Sequence, residues 1–91
     1  MFSDLQVYAT PKLQHAQMLL ALLQLALKKA GLIYEARCLE GLDLTNKEMA
    51  QGALMVLQAM SVPANGARQA HDMALSGIRA ALIDAPVSAN N

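Results

Sequence analysis

The side chains that could support catalysis in this sequence are one cysteine and two histidines, Cys38, His15 and His71. A thiol activated by an imidazole is a nucleophile and base pair of covalent catalysis. No catalytic motif surrounds these residues, and Cys38 lies beside Leu39 on a helix flank, which predicts a small buried or half-buried cysteine. We expect His15 to be solvated and His71 to lie at the surface or contact a partner. No residue is predicted to be catalytic, and the protein is not expected to be an enzyme.

The sequence also lacks the residues that a metal or cofactor site needs. A zinc site takes about four ligands, and one cysteine with two histidines away from ligand spacing does not supply them. The NGA stretch at residues 65–67 is typical of a turn and helix cap, and no glycine-rich phosphate loop is present. We therefore predict neither a metal nor a cofactor.

Charge and aromatic content argue against nucleic acid as a partner. Seven basic and seven acidic residues give a net charge of zero, and the only aromatic residues are two tyrosines and one phenylalanine. Nucleic acids are bound by basic patches and by stacking on aromatic rings. A single cysteine favours a reducing compartment, and residues 1–6 show no signal-peptide pattern. These features predict a cytoplasmic protein, and the abundance of Ala, Leu, Gln and Met fits a bacterial or phage source.

The segment at residues 10–30 has the strongest helical pattern. Thr10 is a predicted N-cap, and Pro11 suits the first helical position. Apolar side chains cover most of the helical cylinder, which is expected of a helix at the centre of a packed structure. The polar side chains share one narrow stripe, made of Gln14, Gln17, Gln24 and Lys28. The apolar run is too short for a membrane span, which needs about 20 residues.

The predicted fold class is all-α, a three-helix antiparallel arrangement with one long central helix. We predict one domain over residues 1–91, with an arm at 1–9, helices at 11–39, 46–60 and 66–84, and a frayed tail at 86–91. Gly31 also fits a helix end. The residues after it offer no capping side chain for a new helix, so we expect the first helix to continue through Gly31.

Local signals define the other two helices. Thr45 and Glu48 have the spacing of a capping box, with the Thr45 hydroxyl as the N-cap. Pro63 ends that helix, and Asn65 is the predicted cap of the last one. The last helix carries a row of small residues that predicts close packing against another helix, Ala67, Ala70, Ala74, Gly77, Ala81 and Ala85.

The chain is 55% hydrophobic and 15% charged, whereas about 25% charged is usual. A chain of 91 residues has a high surface-to-volume ratio and cannot bury this much apolar surface alone. An exposed apolar patch is therefore predicted, and such patches are commonly contact sites. The fold is expected to be completed by a homodimer, in which the 11–30 helices meet, or by a partner. The candidate interaction residues are Met18, Leu19, Leu22, Leu25, Met55 and Met73.

These features predict a small protein-interaction module that regulates or sequesters a partner protein by covering an apolar surface. An anti-activator that masks a transcription factor and a secretion-type chaperone are two concrete forms. Two alternatives stay open, a structural subunit of a larger complex and a carrier of an apolar small molecule.

Overall fold

The computed structural model describes residues 10–63 and 66–86. These residues form four helices and no strand, so the all-α class is confirmed for them. The helices are α1 (Pro11–Lys29), α2 (Ile33–Cys38), α3 (Lys47–Ala59) and α4 (Gly66–Leu82). The predicted arm at 1–9, the Asn65 cap and most of the predicted tail lie outside the described residues.

The α1 helix begins as predicted and ends earlier than predicted. The Leu13 N–H donates to the Thr10 hydroxyl at 3.2 Å. At the other end Gly31 adopts φ +82, and the Gly31 N–H donates to the Lys28 carbonyl at 3.1 Å. The Leu32 N–H donates to the Leu27 carbonyl at 2.8 Å, which completes a Schellman ending. The prediction of one helix over 11–39 is therefore wrong, because a left-handed glycine satisfies the last carbonyls of α1 and turns the chain.

The short α2 helix starts without the capping side chain that the sequence analysis required. Leu32 stands at its N-cap position and makes no side-chain cap hydrogen bond. Contacts with α1 stabilise α2 in another way, because Gln24 Nε2 donates to the Ala36 carbonyl at 3.3 Å. Ala36 and Leu39 are also buried. Tertiary packing thus supports a helix whose local sequence does not favour a start.

The segment after α2 returns along α1 and is held by the side chain of Gln17. Gln17 Nε2 donates to the Leu42 carbonyl at 2.8 Å, and the Leu44 N–H donates to Gln17 Oε1 at 2.7 Å. The amide therefore pairs with this segment as a neighbouring strand would, with one donated and one accepted bond. Leu44 is buried as a consequence. Gln17 and Gln24 of the predicted polar stripe thus bind backbone groups of the chain.

The α3 helix begins one residue later than predicted and with a different cap. Asn46 is the N-cap, and its Oδ1 accepts from the Met49 N–H at 2.9 Å. The Thr45 hydroxyl instead contacts Met49 Sδ at 3.1 Å. The predicted Thr45 cap is therefore wrong, because Asn46 is the residue that adopts the extended backbone of an N-cap. The Lys47 N–H donates to the Pro86 carbonyl at 2.7 Å, so Pro86 is anchored to α3 and does not belong to a frayed tail.

The α1 and α4 helices form a close antiparallel pair at the centre of the fold. Lys12 Nζ lies 3.7 Å from Asp84 Oδ2 near one end of the pair. A Cβ built on Gly77 would lie 3.8 Å from the Ala16 Cα, so the two backbones approach closely there. The predicted row of small residues is the reason for this approach. Its members Ala67, Ala74, Ala81 and Ala85 are buried.

The α3 helix and the 39–46 segment pack into one groove of the α1/α4 pair. His71 of α4 contacts Leu57 of α3, and Gln17 of α1 holds the segment before α3. Leucines from α1 and α3 fill the space between these elements, and Ile78 joins them from α4. The largest fully buried side chains are Leu13, Leu23, Leu27, Leu57 and Ile78. The opposite groove of the pair contains none of these elements.

Candidate interaction surface

The opposite groove of the α1/α4 pair is uncovered by any described residue. Two depressions lie along this groove. One, of about 490 Å³, is lined by His15 and Leu19 from α1 and by α4 residues that include Met73 and Gly77. The other, of about 380 Å³, lies between the end of α1 and the start of α4. We call this groove with its two ridges the α1/α4 face.

Leu19 of α1 packs over Gly77 of α4 and forms the floor of the groove. A Cβ on Gly77 would lie 2.5 Å from Leu19 Cδ1, so Leu19 occupies the space that a larger residue at position 77 would need. Leu19 is only 7% exposed. Its prediction as an exposed contact residue is wrong, because the absent side chain at Gly77 lets it pack against α4.

The α1 ridge of this face carries three of the predicted contact residues. Met18, Leu22 and Leu25 are each slightly more than half exposed. They recur at a spacing of four and then three residues, which places them on one side of a helix. Because core leucines occupy the opposite side of α1, neither α2 nor α3 can reach this stripe.

The α4 ridge carries Met73, which is 49% exposed. The α1 and α4 helices run antiparallel, with Lys12 next to Asp84 and the α1 backbone next to Gly77. In this alignment Leu22 and Met73 lie at the same height along the helix pair, to within about half a helical turn. Four of the six predicted contact residues thus lie on the exposed ridges of one face, and a fifth, Leu19, forms its floor. Met55 is 69% exposed but lies on α3, away from this face.

Charged groups stand at the ends and edges of the α1/α4 face. Lys12 and Asp84 pair at one end, and Arg68 Nε lies 3.7 Å from Asp72 Oδ1 at the edge of α4. All four side chains are more than half exposed, so these pairs contribute little to stability. The centre of the face between Met18 and Leu25 contains no charged α1 residue. The electrostatics therefore favour contact with an uncharged, apolar surface.

A second apolar groove of about 420 Å³ lies between α2 and α3. Its walls include Tyr34 and Cys38 from α2 and Val56 and Met60 from α3. Cys38 is exposed there, which contradicts the predicted burial. The reason is that α2 turns back after Gly31, so Ala36 and Leu39 face the core instead of Cys38.

His71 is buried and not at the surface, contrary to the prediction. Its Nε2 lies 2.8 Å from the Leu57 carbonyl, an acceptor, so Nε2 donates to α3. Its Nδ1 is buried without a hydrogen-bond partner and lies 3.8 Å from Asp72 Oδ1. The histidine therefore joins α4 to α3 and does not take part in the α1/α4 face. His15 is exposed, as predicted, and borders the open groove.

Sequence reasoning missed two strongly exposed apolar residues. Ile83 is 79% exposed just after α4, and Tyr34 is 83% exposed on α2. Ile83 lies ten residues after Met73, a spacing that at 3.6 residues per turn rotates it by about 80° from Met73. Helical spacing from Met73 therefore gives no signal that would place Ile83 beside the predicted contact residues.

No protein-family model, curated protein or solved structure matches this chain. Within residues 10–63 and 66–86 there is no cluster of three histidine, cysteine or carboxylate side chains that could hold a metal ion. In the same part of the chain, no helix combines the length and the apolar character needed to cross a membrane. The α1/α4 face and the α2/α3 groove are apolar surfaces suited to binding.

Proposed function

We propose that this protein is a small interaction module that regulates or sequesters a partner protein by covering an apolar surface with its α1/α4 face. The observation that carries the proposal is the half-exposed stripe of Met18, Leu22 and Leu25, with Met73 across a groove floored by Leu19. An anti-activator and a secretion-type chaperone both act by covering an apolar surface of another protein.

The physical support is the free energy available on covering these side chains. Burying apolar surface contributes about 25 cal/mol per Å². Four large side chains that are each about half exposed therefore leave several kcal/mol available for binding. Two of the four are methionines, whose flexible thioethers adapt to the shape of a partner. The face thus has the composition of a contact site for another protein.

The test compares the wild type with Leu22→Glu and a matched control, Met55→Glu. Both substitutions place a carboxylate at an exposed apolar position, but only Leu22 lies on the α1/α4 face. Each immobilised protein is incubated with a native extract of the source cells, and the retained proteins are identified by mass spectrometry. We expect the wild type and Met55→Glu to retain the same partner and Leu22→Glu to lose it.

Thermal unfolding followed by circular dichroism checks that the two variants are folded to the same extent. Retention of one partner by all three proteins would contradict the proposal. Equal loss of the partner from both variants would also contradict it, since the effect would then not depend on the α1/α4 face.

The α2/α3 groove favours a second candidate function, the carriage of an apolar small molecule. Its volume of about 420 Å³ lies in the range of small-molecule sites, and its walls include Tyr34, Val56 and Met60. Native mass spectrometry of the protein from its source would show a bound molecule. A Val56→Glu substitution should abolish that mass difference, and an unchanged difference would exclude this groove as the site.

A further inference from the structure

We propose that the α1/α4 face of the free protein is covered by the same face of a second copy, in a two-fold dimer whose axis passes beside Leu22. This inference rests on the proposed function, because it names one partner of the same surface. In this dimer α1 packs antiparallel against α1 of the second copy, and α4 packs in the same way against the second α4. The four helices form a bundle, with α2 and α3 on its outer sides.

The dimensions of the face suit a two-helix partner. The 19 residues of α1 are about 28 Å long, and two adjacent helices are about 20 Å wide. The projected area is therefore about 560 Å², and the accessible area of an interdigitating surface is larger than its projection. A standard interface buries about 800 Å² on each side. A single helix lying in the groove would leave a ridge exposed, whereas a second α1/α4 layer covers both ridges.

The spacing of the apolar stripe on α1 suits an identical partner. Met18, Leu22 and Leu25 follow the four-and-three spacing of helices that pack along a seam. Leu22 lies near the middle of the stripe. An antiparallel copy therefore places Leu22 on Leu22 and Met18 on Leu25, so that each apolar side chain meets another apolar side chain. A two-fold interface requires this kind of self-complementary patch.

The distribution of charge also permits self-association. In a two-fold interface, a charged group near the axis meets the same charge in the second copy, and this repulsion opposes binding. No charged residue lies between Met18 and Leu25 on α1, and Gln69, Met73 and Ser76 on the open side of α4 are uncharged. Lys29 stands at the end of α1, and Asp72 stands at the outer edge of α4, where its 64% exposed side chain stays in contact with solvent. The net charge of zero adds no long-range repulsion between copies.

The experiment combines sedimentation with site-specific cross-linking of the full chain. Sedimentation equilibrium of the wild type is expected to show a dimer at micromolar concentration. Leu22→Glu should weaken the dimer by at least about a hundred-fold, because two carboxylates would be buried beside the axis. Met55→Glu is the matched control and should leave the dissociation constant unchanged.

Cross-linking tests the arrangement without relying on a disruptive variant. Cys38→Ser removes the only cysteine, and Leu22→Cys or Met55→Cys is then added to that background. A short bis-maleimide should join two copies through Leu22→Cys, which lies beside the axis, and should join far fewer through Met55→Cys. A dimer that cross-links equally well at both positions would overturn the inference, because its interface would lie elsewhere.

A monomeric wild type at micromolar concentration would also overturn the inference. Such a monomer that still binds an extract protein through Leu22 would leave the proposed function standing. A monomer whose binding does not depend on Leu22 would contradict both proposals, because the face would then be covered within one chain or would not bind protein.

Discussion

Replacing Gln17 by methionine would test whether one side-chain amide holds the segment between α2 and α3. Methionine keeps the length and the helix propensity of glutamine but removes both hydrogen bonds, at 2.8 Å to the Leu42 carbonyl and 2.7 Å from the Leu44 N–H. Each such bond contributes about 1 kcal/mol, and unpaired groups that stay partly buried add to the loss. We expect the free energy of unfolding to fall by about 2–3 kcal/mol.

The matched control is Gln24→Met, which removes a single, longer hydrogen bond of 3.3 Å to the Ala36 carbonyl. Its expected loss is about 0.5–1 kcal/mol. In thermal unfolding a loss of 1 kcal/mol corresponds to roughly 4–8 °C for a domain of this size, so the two variants are easily separated. Gln17→Met is expected to lower the unfolding temperature by roughly 8–24 °C.

The assay is urea denaturation followed by circular dichroism, with all proteins at one concentration because self-association would change the apparent stability. If Gln17→Met stays within about 0.5 kcal/mol of the wild type, the amide does not hold this segment and the reasoning is refuted. If the Gln17 and Gln24 variants lose equal free energy of unfolding, the two hydrogen bonds of Gln17 are not a stronger link than the single one of Gln24.

The remaining predictions are also measured by urea denaturation. Asn46→Ala removes the cap of α3 and should lower the free energy of unfolding by about 1 kcal/mol, and Thr45→Ala should lower it clearly less. A larger loss for Thr45→Ala would identify Thr45 as the cap. Gly31→Ala should cost about 1–2 kcal/mol, because alanine is strained at φ +82, and no loss would mean that the turn accepts another conformation. Ala74→Leu should cost about 1–3 kcal/mol by overfilling a buried contact, whereas Arg79→Leu, at an exposed position of α4 outside the α1/α4 face, should not. Equal effects at the last two positions would mean that α4 is rotated from its described orientation.

The starts and ends of the later helices could be read closely from the sequence, because their signals are local. The predictions of 46–60 and 66–84 differ by at most two residues from Lys47–Ala59 and Gly66–Leu82. The end of α1 could not be decided in this way. No side chain caps the start of α2, and the contact that stabilises α2 joins residues 24 and 36, which the turn at Gly31 brings together.

The candidate surface was predictable in part for a similar reason. Helical spacing places Met18, Leu22 and Leu25 on the same side of α1, and the structure exposes all three. Whether Leu19 faces solvent depends on which side of α1 the last helix occupies and on the missing side chain at Gly77. The burial of His71 likewise depends on the position of α3. Sequence periodicity defines one helix face, but it does not state which neighbour covers it.

The pairing of α1 with α4 joins the first described helix to the last one, and this has a consequence during synthesis. Gly66 follows Lys29 by 37 positions. At 5–20 residues per second, α1 is complete roughly 2–7 s before α4 begins to emerge. During that interval the leucines that later pack against Ala74 and Gly77 have no partner helix. We therefore expect the nascent chain to be most vulnerable to aggregation, and most dependent on cellular chaperones, between the synthesis of α1 and that of α4.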